Sequence, residues 1–294
     1  MVNDDKYLLT NRQDAMWGLT ATTVGYQSIR SKGIYPPQGM THPKEYLFMP
    51  ENGRVLYEYQ LVYISRGEGV FSSGHCGPVK VYAGNMIMLF PGEWHSYYPD
   101  ENTGWDEYWI GFKGANMDSK KANGFFNERT PVFNIGISEQ LVAMYIQAIE
   151  IAKKQESGHQ QMLAGIINYM LGMTYSISKQ RTFRSTMVEE YVSRAKIFIR
   201  ENLHEQITPV DIAGHVGLRY SYFRSIFKDY TGFPPSRYIT EFRIEKSKQL
   251  LTTTDLTSQQ IAYECGFGDP KYFCTIFSKS VGLSPLQYRK ISRG

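Results

Sequence analysis

Hydrophobic residues follow two rhythms along this chain, and the change between them falls near residue 138. From about Leu56 to Phe112, short runs rich in Tyr, Val, Ile and Phe are broken by Gly, Pro and Asn at turn spacing, which predicts strands. The clearest are Leu61–Ser65, Gly69–Phe71, Val79–Tyr82, Asn85–Phe90 and Tyr108–Phe112, and together they predict a small antiparallel barrel or sandwich. From Ser138 the period becomes helical, with Leu141, Met144, Tyr145, Ala148 and Ile149 in one segment. Met162, Leu163, Ile166, Ile167, Met170 and Met173 follow in a second, split from the first by Glu156-Ser157-Gly158. Two amphipathic helices therefore follow the strands, suited equally to packing on the barrel and to a dimer seam. The polar stretch Ser178 to Thr186 reads as an interdomain linker. Beyond it, Val188, Tyr191, Val192, Ala195, Phe198 and Ile199 mark one buried helix face, and Thr208-Pro209 opens another helix with a capping threonine and a first-turn proline.

The last hundred residues carry one pattern twice. Ile212-Ala213, Gly217, Tyr222-Phe223, Phe227, Gly232, Pro235 and Tyr238 recur as Ile261-Ala262, Gly266, Tyr272-Phe273, Phe277, Gly282, Pro285 and Tyr288. The offset is 49 residues up to the glycine and 50 from Tyr222 onward, so the copies differ by one residue in the turn between two helices. A duplicated helix-turn-helix explains this. Two such units in tandem can address successive turns on one face of double-stranded DNA.

In the first unit a helix from Pro209 to Val216 ends at Gly217, and a second from about Tyr220 to Tyr230 ends at Gly232. Phe223, Ile226 and Phe227 form the buried stripe of that second helix, leaving Ser221, Arg224, Ser225 and Lys228 for DNA. Arg224 is the best candidate for a base contact, because a guanidinium can donate two hydrogen bonds to guanine; Lys228 suits a phosphate. In the second unit Asp269-Pro270 begins the reading helix, and Phe273, Ile276 and Phe277 are its buried stripe. Lys271, Cys274, Thr275 and Ser278 face outward, a less basic set. Between the units, Tyr238 to Leu251 predicts one long helix that would fix their spacing.

Charge distribution agrees with this division. Residues from Arg181 onward hold 17 Lys and Arg against 11 Asp and Glu, a net of +6, whereas residues 1–180 hold 15 against 17. The basic excess lies with the repeat, as expected if that half neutralises phosphates and the other half does not. Three cysteines without a CxxC pair predict free thiols rather than a disulfide framework or a cysteine-rich zinc site. No apolar run is long enough for a bilayer span, and Met1 to Thr10 lacks the plan of a signal peptide, so a cytoplasmic protein is expected.

The repeat resembles the AraC/XylS family of bacterial transcription regulators. The matching text is Ile-Ala-Gly-His-Val-Gly (212–217), Tyr-Phe-Arg-Ser-Ile-Phe-Lys-Asp-Tyr-Thr-Gly-Phe-Pro-Pro (222–235), Ile-Ala-Tyr-Glu-Cys-Gly-Phe (261–267), Tyr-Phe-Cys-Thr-Ile-Phe (272–277) and Val-Gly-Leu-Ser-Pro-Leu-Gln-Tyr-Arg (281–289). The resemblance implies two reading helices in adjacent major-groove segments, a homodimer, activation more often than repression, and RNA polymerase as a further partner. Two departures stand out. The family usually has a capping serine where this chain has Arg219 and Gly268; Asp269 can replace the second, whereas Arg219 leaves either a later helix start capped by Ser221 or a side chain free for a phosphate.

Arg66-Gly-Glu-Gly-Val-Phe, Ala83 through Tyr97 and Gly104 through Phe112 resemble the cupin-type effector domain of the same family's sugar-responsive members. In the arabinose-responsive regulator the sugar-contacting positions match Arg66, His95, Tyr97 and Trp109, with Glu93 and Trp105 as nearby alternatives here. The fold expected is α+β and multidomain. A cupin-like β-barrel with two following helices occupies residues 1–178, a linker residues 179–186, and an all-α DNA-binding domain with two helix-turn-helix units joined by a linker helix residues 187–294. Two alternatives stay open: a regulator whose N-terminal domain only dimerises or binds a protein, and a cupin enzyme. Catalytic cupins carry a His-x-His pair that His42, His75 and His95 do not form, and no GxSxG, Walker-type loop or HExxH occurs. No catalytic residue, cofactor or metal is expected.

Overall fold

The computed structural model describes residues 4–33, 35, 52–184 and 187–293. The chain divides into two compact units, Met1–Gln180 and Arg181–Gly294. In the first, β1 (Asp4–Tyr7), the short helix α1 (Arg12–Met16), β2 (Thr20–Ile29), β3 (Arg54–Val55), β4 (Tyr59–Ser73) and β5 (Cys76–Tyr82) come in turn. β6 (Asn85–Leu89), β7 (Trp94–Pro99), β8 (Trp105–Lys113), α2 (Ala115–Ala122), β9 (Val132–Asn134), α3 (Glu139–Lys154) and α4 (His159–Arg184) complete it. The second unit holds α5 (Val188–Glu201), α6 (Pro209–His215), α7 (Tyr220–Thr231), α8 (Pro235–Thr253), α9 (Ser258–Glu264), α10 (Pro270–Val281) and α11 (Pro285–Arg293). His42 lies outside the described residues.

All strand pairs are antiparallel, and β4 organises them. Its first half pairs with β6 and β8, and its second half with β5 and β7, while β1 and β2 extend the sheet beyond β8. Where the first half of β4 pairs with β6 and β8 the sheet is buried on both faces, which is why those strands read as nearly unbroken apolar runs. One face of β4, β6 and β8 carries Leu61, Tyr63, Met86, Met88, Tyr108 and Ile110, and packs with Leu141, Tyr145, Ala148 and Ile149 of α3 and Leu163, Ile167 and Met170 of α4. The opposite face gives Val62, Ile64, Ile87, Leu89 and Trp105 to a separate core with Phe71, Val81 and Tyr97.

Most of the apolar stripe on α3 and α4 is therefore spent on the sheet. Tyr145 donates its hydroxyl proton to the Leu61 carbonyl at 3.0 Å, and Gln160 completes the β2 edge by accepting from Ala21 N at 2.9 Å and donating to its carbonyl at 3.0 Å. Met162 is different: it is 55% exposed. α4 continues to Arg184, so most of the stretch expected as a linker is helical; residues 185 and 186 lie outside the described ones.

In the second unit each helix-turn-helix has its own core, one around Phe223 and Phe227 and the other around Phe273 and Phe277. Gly217 and Gly266 adopt φ of +74° and +77° in the turns, and Gly232 and Gly282 end the reading helices at +80° and +79°. The long helix α8 joins the two cores. The joint is reinforced where a side chain on Gly266 would stand 2.3 Å from the Leu203 carbonyl, a separation only glycine permits.

The duplication also reaches arginine residues that the motif did not include. Arg243 donates to the carbonyls of Leu203 and Glu205, and Arg293, 50 residues on, donates to those of Thr252 and Thr254. Each guanidinium satisfies carbonyls that the preceding chain leaves without helical partners.

Candidate effector pocket and DNA-reading surface

Alternation along β7 and β8 sends His95, Tyr97, Trp105, Glu107 and Trp109 to the barrel interior. His95 and Tyr97 stack with ring centroids 6.1 Å apart and 9° between planes, and Tyr97 lies 6.1 Å from Trp105. Trp109 lies across Gly25 of β2, where a β-carbon would stand 2.3 Å from the indole. Four of the six residues expected at the effector site thus share one face.

The other two are placed differently. The register of β4 against β8 shifts between Ile64 and Arg66, and this extra residue inverts the alternation beyond it. Arg66 consequently lies exposed on the outer face, in a two-pronged ion pair with Asp106 at 2.8 and 2.9 Å. That pair and a 2.6 Å bond from Ser28 hold the Asp106 carboxyl below its ordinary range. Glu93 turns away from the interior and binds His75, Nδ1 to Oε1, at 2.8 Å.

Three residues outside the expected set complete the interior. Arg54 on β3 donates Nε–H to His95 Nε2 at 3.3 Å and Nη2–H to the Tyr97 hydroxyl at 2.7 Å. Glu107 is 2% exposed, two residues before Trp109 on the same face of β8. Tyr35 sets its ring edge-on to Trp105 at 6.0 Å and hydrogen-bonds Tyr97. Glu107 was legible in principle, as a carboxylate between two inward tryptophans at period two. Arg54 and Tyr35 carried no signal, since neither lies in a periodic run.

Burial controls the electrostatics of this cluster. Desolvation, with Arg54 adding to it, lowers His95 to about 3, so its ring is neutral; Nδ1–H donates to the Glu93 carbonyl at 3.1 Å and Nε2 is free to accept from Arg54. Desolvation raises Glu107 to about 8 against the opposing pull of Arg54, which leaves the carboxyl largely protonated at neutral pH. Among the described residues, Glu107 Oε2 and the Trp105 indole Nε1–H are buried without a hydrogen-bond partner. An unpaired buried polar group costs about 1–3 kcal/mol. A ligand hydroxyl could supply what both lack.

On α7, Arg219, Ser221, Arg224, Ser225 and Lys228 are all exposed. The helix starts at Tyr220 with Arg219 at the N-cap and no side-chain cap bond, so Ser221 sits inside the first turn and does not cap. Ser225 is partly engaged, donating to Asp229 at 3.4 Å. On α10, Asp269 caps by accepting from Lys271 N at 2.8 Å, and Lys271 and Thr275 are exposed. The Thr275 hydroxyl donates back to the Lys271 carbonyl at 3.0 Å, and Cys274 is half-buried against the second core. Tyr222 and Tyr272 flank the two reading surfaces, about half-exposed at 50% and 52%.

Among the described residues no group of three His, Cys, Asp or Glu could hold a metal ion, and no helix is long and apolar enough to cross a membrane. A family model described as an AraC-like ligand binding domain matches residues 46–170, and one described as a helix-turn-helix domain matches residues 212–291. The MmsAB operon regulatory protein of Pseudomonas aeruginosa is 25% identical over 236 residues, which cover 79% of this chain and 75% of that protein. The raffinose operon transcriptional regulatory protein of Pediococcus pentosaceus is 26% identical over 240 residues, 79% of this chain and 84% of its own length. The lactose operon transcription activator of Staphylococcus xylosus is 27% identical over 253 residues, with 81% and 86% covered.

Proposed function

We infer, from the premise that this chain belongs to the AraC family of transcription regulators, that its barrel binds a saccharide and so controls how its DNA-binding unit acts at a promoter. The observation that carries this reading is the polar cluster inside the apolar barrel. Arg54, His95, Tyr97 and Glu107 offer donors and acceptors, the indoles of Trp105 and Trp109 offer apolar faces for sugar C–H groups, and two polar atoms are buried unpaired. The names of the raffinose and lactose operon regulators favour a saccharide over other small metabolites, and the latter's name favours activation.

Arg224 is assigned base readout, with Lys228, Arg219 and Lys271 on phosphates and Ser221, Ser225, Thr275 and Cys274 at the edges of the contact. The protein acts as a homodimer in the cytoplasm, without catalysis, and reaches RNA polymerase at its promoter. We assign the dimer seam to α4 because Met162 and Tyr169 are more than half exposed there beside Gly165 and Gly172, whose β-positions are open.

Coupling requires that the saccharide bind one state of the protein more tightly than another. The reading is tested by a thermal-shift screen of saccharides on the full-length protein, followed by promoter-binding assays with Trp109→Ala. The variant is expected to lose the shift and keep DNA binding. Normal ligand binding by the variant would remove the barrel from the effector role, and a screen without any hit would favour a domain that only dimerises or binds a protein.

A further inference from the structure

We propose that a cleft at the end of the barrel is a second effector subsite, so that the ligand is a disaccharide or longer chain rather than a single sugar. This rests on the saccharide reading of the interior and extends it. The cleft has a volume of about 610 Å³ and lies between the end of β2, the outer side of β4 and β5, and the turn after β7. Pockets of about 300–1,000 Å³ accommodate ligands of drug-like size, a range into which two sugar rings fall. None of the interior residues His95, Tyr97, Trp109 or Glu107 lines it.

Two features join the cleft to the interior. Tyr35 lines the cleft and also packs edge-on against Trp105 at 6.0 Å. Gly69 forms part of the wall, and the Trp105 ring lies directly behind it, 2.7 Å from where a β-carbon would stand. Trp105 is the residue whose indole N–H is buried without a partner among the described residues. Trp105 is fully buried between the interior and the cleft, so a ligand spanning both would have to displace its ring.

The lining selects the chemistry. Arg30 and Lys80 line the cleft together with Glu68, Asp100 and Glu101. A phosphorylated or carboxylated ligand would meet three carboxylates, and a polyamine two cations. A neutral polyol finds both donors and acceptors in this mixed lining and brings no charge of its own to it. Tyr98, 41% exposed on the lining, supplies an aromatic face of the kind that stacks on a pyranose.

The test is isothermal titration of the full-length protein with monosaccharides and with the di- and trisaccharides built from them, lactose, melibiose and raffinose included. At least one longer saccharide is expected to bind ten times or more tighter than each of its component sugars. Tyr98→Ala and Glu101→Gln should shrink that ratio severalfold while leaving monosaccharide affinity unchanged. A monosaccharide that binds as tightly as any longer chain overturns the second subsite and leaves the interior site standing, as does a ratio that survives both substitutions. If no saccharide binds, the effector reading and the second subsite fall together.

Discussion

Glu107, buried in the barrel, and Arg224, exposed on α7, each make a prediction at the level of a single side chain. Because the Glu107 carboxyl is raised from 4.5 to about 8, the native barrel holds a proton that the unfolded chain releases above its ordinary value. The sign follows from linkage: this group's contribution to stability is full below about 4.5 and is lost as pH rises towards about 8, by at most ~1.4 kcal/mol per pH unit, while His95, lowered to about 3, acts in the opposite direction below its ordinary 6.5. Glu107→Gln should remove this falling component of the barrel's melting temperature, most clearly between the ordinary histidine value of 6.5 and about 8, and an unchanged slope there would place the proton elsewhere. Arg224, exposed on α7, stands in a different regime. Arg224→Ala should weaken specific DNA binding by about 1–3 kcal/mol and relax base preference at one position. An unaltered binding-site profile from a randomised library would withdraw its base-reading role.

At the level of the element, helix ends distinguish the two copies of the repeat. Thr208, Thr257 and Asp269 cap α6, α9 and α10 with their side chains, whereas Arg219 leaves the start of α7 uncapped. Arg219→Ser should stabilise the DNA-binding unit by about 0.5–2 kcal/mol, measured by denaturant titration, while weakening DNA affinity and making it less salt-dependent. Stronger DNA binding by the variant would show that the arginine serves no phosphate. α4 carries the other prediction at this scale. Met162→Glu combined with Tyr169→Glu changes only exposed positions, so it should abolish the proposed dimer in sedimentation equilibrium without unfolding the barrel. A dimer that persists would move the seam off this helix.

For the whole molecule, two compact units with separate cores predict two unfolding transitions rather than one. A bound saccharide should raise the transition of residues 1–180, and operator DNA that of residues 181–294, because each ligand stabilises the unit that holds it. Scanning calorimetry with each ligand separately reads this directly. A saccharide that shifted only the second transition would contradict its assignment to the barrel.

Sequence alone determined whatever depends on local periodicity and on repetition. The alternating runs marked the strands, the matched glycines and phenylalanines marked the two helix-turn-helix units and pointed that half to DNA, and the charge division agreed with it. His95, Tyr97, Trp105 and Trp109 were named through the family resemblance, and alternation along β7 and β8 is the physical reason they face inward together. Tertiary structure decided what local pattern cannot encode. A register shift after Ile64 turned Arg66 to the outer face, although its neighbours in sequence gave no sign of it. Arg54 and Tyr35 reach the interior from segments without periodicity, and Glu107 acquires its proton only because the folded barrel removes water around it. Contacts between residues distant in the chain, and the desolvation they produce, exist only once the chain has closed on itself.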